Sequence, residues 1–147
     1  VGIAGSDEKV KMLQEEFGFD AGINYKTTEN MKQAIKESCP NGVDVYFDNV
    51  GGEILDAAMA NINSKGRVVN CGAISLYNET ETPKGPRHET TLIKKSVRMQ
   101  GFTVRDYQAD FPSTVAQLAT WLEEDKLTYE ETIVEGENKG KMIVKVS

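Results

Sequence analysis

The chain has 147 residues, of which 39% are hydrophobic and 7% aromatic, enough to build the core of about one globular domain. Its formal net charge of −6 excludes a broadly basic, nucleic-acid-binding surface. No run of about eighteen apolar residues is present, and one histidine with two cysteines makes neither a disulfide framework nor a usual structural zinc site. We therefore expect a cytoplasmic protein that has no metal ion, membrane or nucleic acid as a partner.

The first part of the chain alternates between short apolar runs and helical patterns. In chain order, the predicted elements are a strand at 1–4, a helix capped by Asp7, a weak strand at 21–25 and a helix capped by Thr28. Since the alternation continues to about residue 104, it predicts an α/β fold in which a parallel sheet carries helices on both faces. The chain opens on Val1 inside an apparent strand, so we expect a fragment of a longer protein.

The stretch 43–78 is predicted to be a βαβ unit. Two short apolar runs, at 43–47 and 67–71, predict buried strands. Between them, apolar residues recur at helical spacing, namely Ile54, Leu55, Ala58, Met59 and Ile62. Polar residues follow both strands, Asp48 and Asn49 after the first and Asn70 at the end of the second. In an open parallel sheet, this edge is where ligands bind.

The alternation breaks down after one more strand. A polar loop at 77–89 leads to a short helix at 90–95 and a strand at 97–104. A further helix is predicted from the spacing of Phe111, Val115, Leu118 and Leu122. Two late strands, 128–134 and 141–146, show β-branched alternation. We therefore divide the chain into residues 1–125 and residues 126–147, which we assign to a different structural unit.

The loop after the first strand is a candidate phosphate site. In dinucleotide-binding folds an acidic residue at this point selects NAD, whereas here Gly5 and Ser6 end the strand and Lys9 follows in the first helical turn. Small neutral residues leave room for a 2′-phosphate, the lysine neutralises it, and the helix N-terminus adds amide donors. The loop thus favours NADP over NAD. The alternative is an ordinary capped surface helix with a solvated lysine.

Two further turns follow the strands of the βαβ unit. Gly51 and Gly52 allow the backbone to approach a ligand closely, and Asn49 offers both a donor and an acceptor. The alternative is an ordinary strand-to-helix turn. Small residues at 71–73 permit the same approach after the second strand, and Tyr77 could donate a proton to an oxyanion or bind a phosphate or ribose.

Three other polar residues in this region receive structural interpretations. We expect Asp48 to cap a turn, since a buried pair of acids with Asp44 would be costly. Cys71 is interpreted as a small packing residue, because no His–Asp arrangement is evident that would activate it as a nucleophile. His88, in the polar loop, is expected to be a surface histidine.

Several segments, taken together, resemble one enzyme family. They are AGSDEKV at 4–10, NYKT at 24–27, YFDNVGGE at 46–53, GRVVNCGAIS at 66–75 with YN at 77–78, and NKGKMIVKV at 138–146. The chain resembles the zinc-independent medium-chain dehydrogenases/reductases, in particular the prostaglandin reductases and their alkenal and curcumin reductase relatives. The similarity extends over nearly the whole chain. Each motif is weak alone, but their combination in this order is specific.

The resemblance implies a Rossmann-type NADP-binding domain and a homodimer that pairs through strand 97–104. It implies NADPH-dependent reduction of the carbon–carbon double bond of an enone or enal. Hydride goes to the β-carbon, and the enolate is then protonated at the α-carbon. Tyr77 is the candidate catalytic residue. The implied cofactor-binding residues are Ser6, Lys9, Tyr25, Asn49, Cys71, Gly72, Ala73, Ile74, Tyr77, Phe102, Thr103, Val104 and Asn138.

The chain departs from the family pattern in two places. The N-terminal substrate domain and the first Rossmann strand with its glycine-rich turn are absent, and Gly136 joins Glu137 where the family has a longer segment. The missing strand is central in the order 3-2-1-4-5-6, and the late strands would normally pair in the missing domain. We therefore expect the chain alone neither to bind NADPH tightly nor to turn over a substrate. A quinone reductase of the same superfamily and a non-catalytic dimerising fragment are the alternatives.

Overall fold

A computed structural model describes residues 1–81 and 84–129, together with the backbone at 133–134 and 137–138. The strands are β1 (Gly2–Ala4), β2 (Gly22–Asn24), β3 (Val43–Asp48), β4 (Ile62–Asn70), β5 (Arg98–Gly101), β6 (Ile133–Val134) and β7 (Glu137–Asn138). The helices are α1 (Asp7–Glu15), α2 (Met31–Ser38), α3 (Gly52–Asn61), α4 (Glu89–Lys95) and α5 (Phe111–Glu123). Two short 3-10 segments, Ile74–Leu76 and Val104–Asp110, complete the described elements.

The strands up to β5 are all parallel, which confirms the predicted α/β class. They form two sheets, β1-β2 and β3-β4-β5, rather than one. The single sheet is interrupted because, in the described part of the chain, no strand hydrogen-bonds between β1 and β3. The short strands β6 and β7 pair antiparallel with each other.

Several element boundaries differ from the sequence prediction. Ser6 and Asn30, rather than Asp7 and Thr28, cap α1 and α2 through their side-chain oxygens. The strand expected at 97–104 is only Arg98–Gly101, because Thr103 and Asp106 form a capping box that begins a 3-10 segment.

The second strand of the βαβ unit is longer than predicted. Ile62, expected on the helix, is instead the first residue of β4, whose start is irregular, with φ of 63° at Lys65. The late strand expected at 141–146 lies outside the described residues.

A helix-lined core joins the two sheets. Ile35 of α2 and Ala58 of α3 are buried with each other, and Ile3 of β1 and Tyr46 of β3 pack against the same cluster. A second cluster contains Met59, Ile62 and Val68. Since residues of both sheets contact the α2–α3 pair, this pair holds the sheets in one body even though their strands are not hydrogen-bonded to each other.

The apolar residues of α5 are more exposed than the sequence pattern indicates. The helix forms where it was predicted, yet Phe111, Val115 and Leu122 are exposed. Val45 and Phe47 of β3 are also more than half exposed. Within the described residues, α5 makes its main contacts with the 3-10 segment that precedes it rather than with the sheet.

Asp48, at the end of β3, is the buried polar residue on which the next turn depends. It is 1% exposed, and its Oδ1 accepts hydrogen bonds from the backbone N–H groups of Val50 and Gly51, both at 2.9 Å, and from the Tyr46 hydroxyl at 3.2 Å. This confirms the predicted turn-capping role. Gly51 and Gly52 follow with φ of 70° and 57°, a left-handed conformation that favours glycine.

The turn after β3 is joined to the loop after β4 by backbone hydrogen bonds. The carbonyl of Asp48 accepts from the N–H groups of residues 71 and 72, that of Asn49 from Ile74, and that of Val50 from Ser75, at 2.8–3.1 Å. The Ser75 hydroxyl adds a bond to the Val50 carbonyl at 2.5 Å. The two loops therefore form one hydrogen-bonded unit at the carboxyl edge of the sheet.

We predict that Asp48→Ala lowers the free energy of unfolding by about 3 kcal/mol, because it leaves two amides and a phenol without their acceptor. Asp48→Asn keeps an acceptor oxygen, so its loss is expected to be smaller. Urea denaturation measures both. The control is Asp20→Ala, at an exposed position, with a change within about 0.5 kcal/mol. Equal stability of the Asp48→Ala and Asp20→Ala proteins would contradict the role given to Asp48.

Tyr46 gives a second prediction, on stability at alkaline pH. Burial raises the pKa of Tyr46 well above its usual value, and the charge and hydrogen bond of Asp48 add to the shift. As pH rises past about 10, the unfolded chain therefore loses this proton first, and stability present below that pH is lost. We expect Tyr46 to account for about 1.4 kcal/mol of the loss between pH 9 and pH 11.

The measurement is urea denaturation of the wild type and Tyr46→Phe at both pH values. Tyr46→Phe lacks the titrating proton, so its unfolding free energy falls less over this interval. The same pH dependence in both proteins would show that Tyr46 ionises equally in the folded and unfolded states.

Candidate functional site

A cavity of about 650 Å³ lies at the carboxyl edge of β3, β4 and β5. Both hydrogen-bonded loops and the segment after β5 border it. Its lining residues are Asp48, Gly51, Gly52, Leu55, Asn70, Cys71, Gly72, Ala73, Leu76, Tyr77, Gly101, Phe102, Thr103 and Asp106. The cavity thus lies at the edge where open parallel sheets bind ligands, as the polar residues after the strands predicted.

The phenol of Tyr77 folds back onto its own loop. Its oxygen accepts a hydrogen bond from the Ala73 N–H at 3.0 Å, while the side chain remains 66% exposed. A phenol can accept and donate at the same time. Within the described residues the hydroxyl proton has no acceptor, so Tyr77 can donate it to a ligand in the cavity.

The segment after β5 is held by aromatic contacts. The ring of Phe102 packs edge-to-face against Phe47, with centroids 6.2 Å apart, and against Tyr107 at 5.8 Å. The Thr103 N–H donates to the Asp106 carboxylate at 2.9 Å. These contacts fix Phe102 and Thr103 at the cavity, whereas Val104 is 62% exposed and does not line it.

Asn70 ends the central strand of the three and contributes an unusual atom to this edge. Its Oδ1 is buried, and no hydrogen-bond partner for it exists among the described residues. Most buried side-chain oxygens have such a partner. Asn70 is not among the cofactor-binding residues predicted from the sequence, although a polar residue that closes the apolar run Val68-Val69 is the available signal.

A second group of candidate residues lies at the carboxyl ends of β1 and β2. The Ser6 hydroxyl accepts from the Lys9 N–H at 3.3 Å, and the Tyr25 ring packs against Gly5. Asp7 is tied to Asn24 by a 2.6 Å hydrogen bond from the amide of Asn24. Within the described part, no carboxylate lies within 4 Å of the Lys9 ammonium. The structure therefore brings Ser6, Lys9 and Tyr25 to one edge, apart from the cavity-lining group.

The other candidate residues have less direct relations to the cavity. Asn49 contributes its carbonyl to the loop pair, and Ile74, 56% exposed, donates its N–H to that carbonyl. Neither lines the cavity. Cys71 does line it, and its thiol is free and exposed, so the expectation of a small packing residue is wrong. Asn138 belongs to β7, and its side chain lies outside what the structure describes.

Two interpretations of individual residues are changed by the structure. His88 is not a simple surface histidine, because its Nε2 lies 2.8 Å from the Asp56 carboxylate and its side chain is 19% exposed. Gly51 and Gly52 bring the turn close to the neighbouring loop as well as to the cavity. A Cβ on Gly51 would lie 3.3 Å from that of Ala73, and one on Gly52 would lie 2.9 Å from the Ser75 hydroxyl.

The described residues contain neither a cluster of metal ligands nor a membrane-spanning helix. No three His, Cys, Asp or Glu side chains in this part of the chain are grouped so that they could hold a metal ion. None of the helices described is both long and apolar enough to cross a bilayer.

Comparison with known proteins identifies relatives across nearly the whole chain. Residues 1–121 match the family described as zinc-binding dehydrogenase. YfmJ of Bacillus subtilis (strain 168), assigned as an NADP-dependent oxidoreductase, is 51% identical over 163 aligned residues, which cover 100% of this chain and 48% of YfmJ. The alignment is longer than the chain, so YfmJ carries residues that this chain lacks.

Two eukaryotic relatives and one solved structure agree with this match. Prostaglandin reductase 1 of Bos taurus is 42% identical over 99% of this chain and 48% of its own length. The NADP(+)-dependent 2-alkenal reductase of Nicotiana tabacum is 38% identical over 100% of this chain and 47% of its own length. The crystal structure of CurA from Vibrio vulnificus in complex with NADPH superposes with a TM-score of 0.81 at 36% identity, covering 90% of this chain and 41% of CurA.

The chain therefore spans about half the length of the curated relatives that it matches. The resemblance of the sequence motifs to the prostaglandin and alkenal reductases is confirmed, and so is the α/β fold. The chain belongs to the zinc-binding dehydrogenase family of medium-chain dehydrogenases/reductases and is a relative of the prostaglandin and alkenal reductases.

Proposed function

We propose that this chain is the cofactor-binding portion of an NADPH-dependent reductase of the carbon–carbon double bond of enones and enals. Residues 1–125 form a partial NADP-binding Rossmann domain, and residues 126–147 belong with a separate substrate domain. The observation that carries the proposal is the cavity at the ends of three adjacent parallel strands, bordered by the loops that the sequence motifs single out. The names of the relatives that match the chain support the same chemistry.

The edge beside α1 fits the 2′-phosphate of NADP. Lys9 supplies a cation that no described carboxylate neutralises, and it lies one helical turn from the Ser6 cap. Ser6 leaves space for a phosphate where an acidic side chain would repel it, and the N-terminal amides of α1 favour an anion. Tyr25 borders the same edge from β2. These three residues would hold the adenosine end of the cofactor.

The edge around the cavity fits the nicotinamide end. Its fit is supported by the buried Asn70 oxygen, which lacks a partner among the described residues, and by the small residues of the hydrogen-bonded loops. The residues proposed to contact the cofactor here include six that line the cavity, namely Cys71, Gly72, Ala73, Tyr77, Phe102 and Thr103. Asn49, Ile74 and Val104 belong to the segments that border the cavity without lining it, and Asn138 is proposed to reach the cofactor from the C-terminal side.

Bound NADPH would supply the hydride that adds to the β-carbon of the enone. The chain's own proposed contribution is to orient the carbonyl. Tyr77 is the proposed catalytic residue, because its hydroxyl proton is available while the Ala73 N–H holds its oxygen in place. A donated hydrogen bond would stabilise negative charge as it develops on the carbonyl oxygen. The family's homodimer through strand 97–104 stays a prediction, with β5 of the described structure as its pairing strand.

The proposal is tested by assaying the natural polypeptide that carries this chain. NADPH is mixed with trans-2-nonenal or 3-nonen-2-one, oxidation of NADPH is followed at 340 nm, and the products are identified by mass spectrometry. We expect the saturated aldehyde or ketone, with NADPH preferred over NADH. An allylic alcohol would assign the reduction to the carbonyl instead, and consumption of quinones alone would favour a quinone reductase.

We also predict that Lys9→Ala weakens the binding of NADPH by about tenfold to a hundredfold, the range of one charge-assisted hydrogen bond. NADH lacks the 2′-phosphate, so its affinity is expected to stay within about twofold. The matched control is Lys11→Ala, which removes an exposed lysine of the same helix that pairs with Glu15 at 3.7 Å. Dissociation constants come from the fluorescence of the bound dihydronicotinamide. Equal losses for NADPH and NADH would refute the phosphate role.

A further inference from the structure

We propose that Asn70 is a cofactor-binding residue, whose side-chain oxygen accepts a hydrogen bond from the nicotinamide riboside half of NADPH. The inference rests on the proposed function and adds a residue to its site. Oδ1 of Asn70 is buried and has no hydrogen-bond partner among the described residues. The same residue lines the cavity at the carboxyl edge of the sheet.

The neighbours of Asn70 cannot satisfy this oxygen with their side chains. β4 is the central strand, and Asn70 is paired in register with Asp48 on one side and Gly101 on the other. The Asp48 side chain already accepts three hydrogen bonds and, as a carboxylate, is itself an acceptor, while glycine has no side chain. No described residue therefore supplies the donor, and the cavity is the open space that Asn70 borders.

The backbone of Asn70 is held in the sheet, and its side chain lies on the same face of β4 as a core residue. Its carbonyl accepts from the Phe102 N–H at 3.1 Å, so the residue is fixed between β3 and the segment after β5. The preceding inward residue of β4, Val68, is 1% exposed and belongs to the core. Residues 68 and 70 point to the same face of the strand. On this face of β4, a polar residue therefore follows a core residue at the point where the core meets the cavity.

The chemistry of the candidate ligands selects one of them. The oxygen of an enone or an oxidised quinone can only accept hydrogen bonds, so it cannot pair with Oδ1 of Asn70. The nicotinamide riboside half of NADPH offers donors, namely the carboxamide N–H groups and the ribose hydroxyls. Asn70 is therefore expected to contribute to affinity for the cofactor and not to affinity for the enone.

The first experiment compares Asn70→Leu with Asn78→Leu in the natural polypeptide. Leucine has a similar size and no acceptor, and Asn78 is an exposed asparagine in the nearby loop. For Asn70→Leu we expect a dissociation constant for NADPH about tenfold weaker, with an unchanged or higher midpoint of urea unfolding without ligand. The affinity for 2′,5′-ADP, which lacks the nicotinamide riboside, stays the same. Asn78→Leu changes neither affinity.

A binding role for Asn70 predicts that Asn70→Leu weakens NADPH binding without lowering the stability of the ligand-free protein. A purely structural role predicts a loss of stability. If Asn70→Leu binds NADPH as tightly as the wild type, the inference is wrong, and the oxygen is satisfied by water or left unsatisfied. If Asn70→Leu does not fold, Asn70→Ala is measured in its place with the same expectation. If the wild type does not bind NADPH at all, the proposed function fails, and the inference fails with it.

A second experiment identifies the donor. The 3-acetylpyridine analogue of NADPH has no carboxamide N–H. If that group is the donor, the analogue binds the wild type about tenfold more weakly than NADPH, and Asn70→Leu binds both equally. If the analogue and NADPH bind the wild type equally while Asn70→Leu weakens both, a ribose hydroxyl is the donor. Weakening of 2′,5′-ADP by Asn70→Leu to the same extent would contradict either assignment.

Discussion

The hydrogen bonds accepted by the Asp48 carboxylate are the interaction on which the proposed cofactor-binding edge depends. Two backbone amides and a phenol converge on one oxygen of a side chain that is almost completely buried. A buried carboxylate is tolerated only when donors compensate it, so the turn from Val50 to Gly51 has little freedom. The carbonyls of the three successive residues 48–50 then accept hydrogen bonds from the loop after β4. The position of both loops thus follows from one buried acid.

This arrangement explains how a short chain keeps the proposed ligand-binding edge formed. The loops are hydrogen-bonded to each other rather than to solvent, and the aromatic contacts of Phe102 hold the third bordering segment against β3. The second edge, beside α1, depends on a separate cap by Ser6. The α2–α3 core keeps both edges in one body although β1 and β3 are not paired. A cofactor that spans both edges would therefore meet two preformed ends.

Much of the fold and part of the site could be predicted from the sequence. The helical periodicity of apolar residues and the short apolar runs predict most of the helices and strands. Asp48, followed by Gly51 and Gly52, predicts a capped turn. Other features have no local signal. The bonds between residues 48–50 and 71–75 join backbone groups, which every sequence possesses. The pairing of His88 with Asp56 joins positions 32 residues apart. The early end of β5 does have a local signal, because Thr103 and Asp106 have the spacing of a capping box. The β-branched residues around Thr103 favour a longer strand, which is why the sequence predicted one. The partnerless oxygen of Asn70 becomes visible only when the burial of each atom is known.

The most direct test of this account is amide hydrogen exchange of the natural polypeptide with NADPH and, separately, with 2′,5′-ADP. We expect both ligands to slow exchange at residues 5–9, beside the proposed phosphate site. We expect only NADPH to slow exchange further at residues 71–77 and 101–104, around the cavity. If NADPH protects these two segments no more than 2′,5′-ADP does, the cavity is not the nicotinamide site and the central claim is wrong.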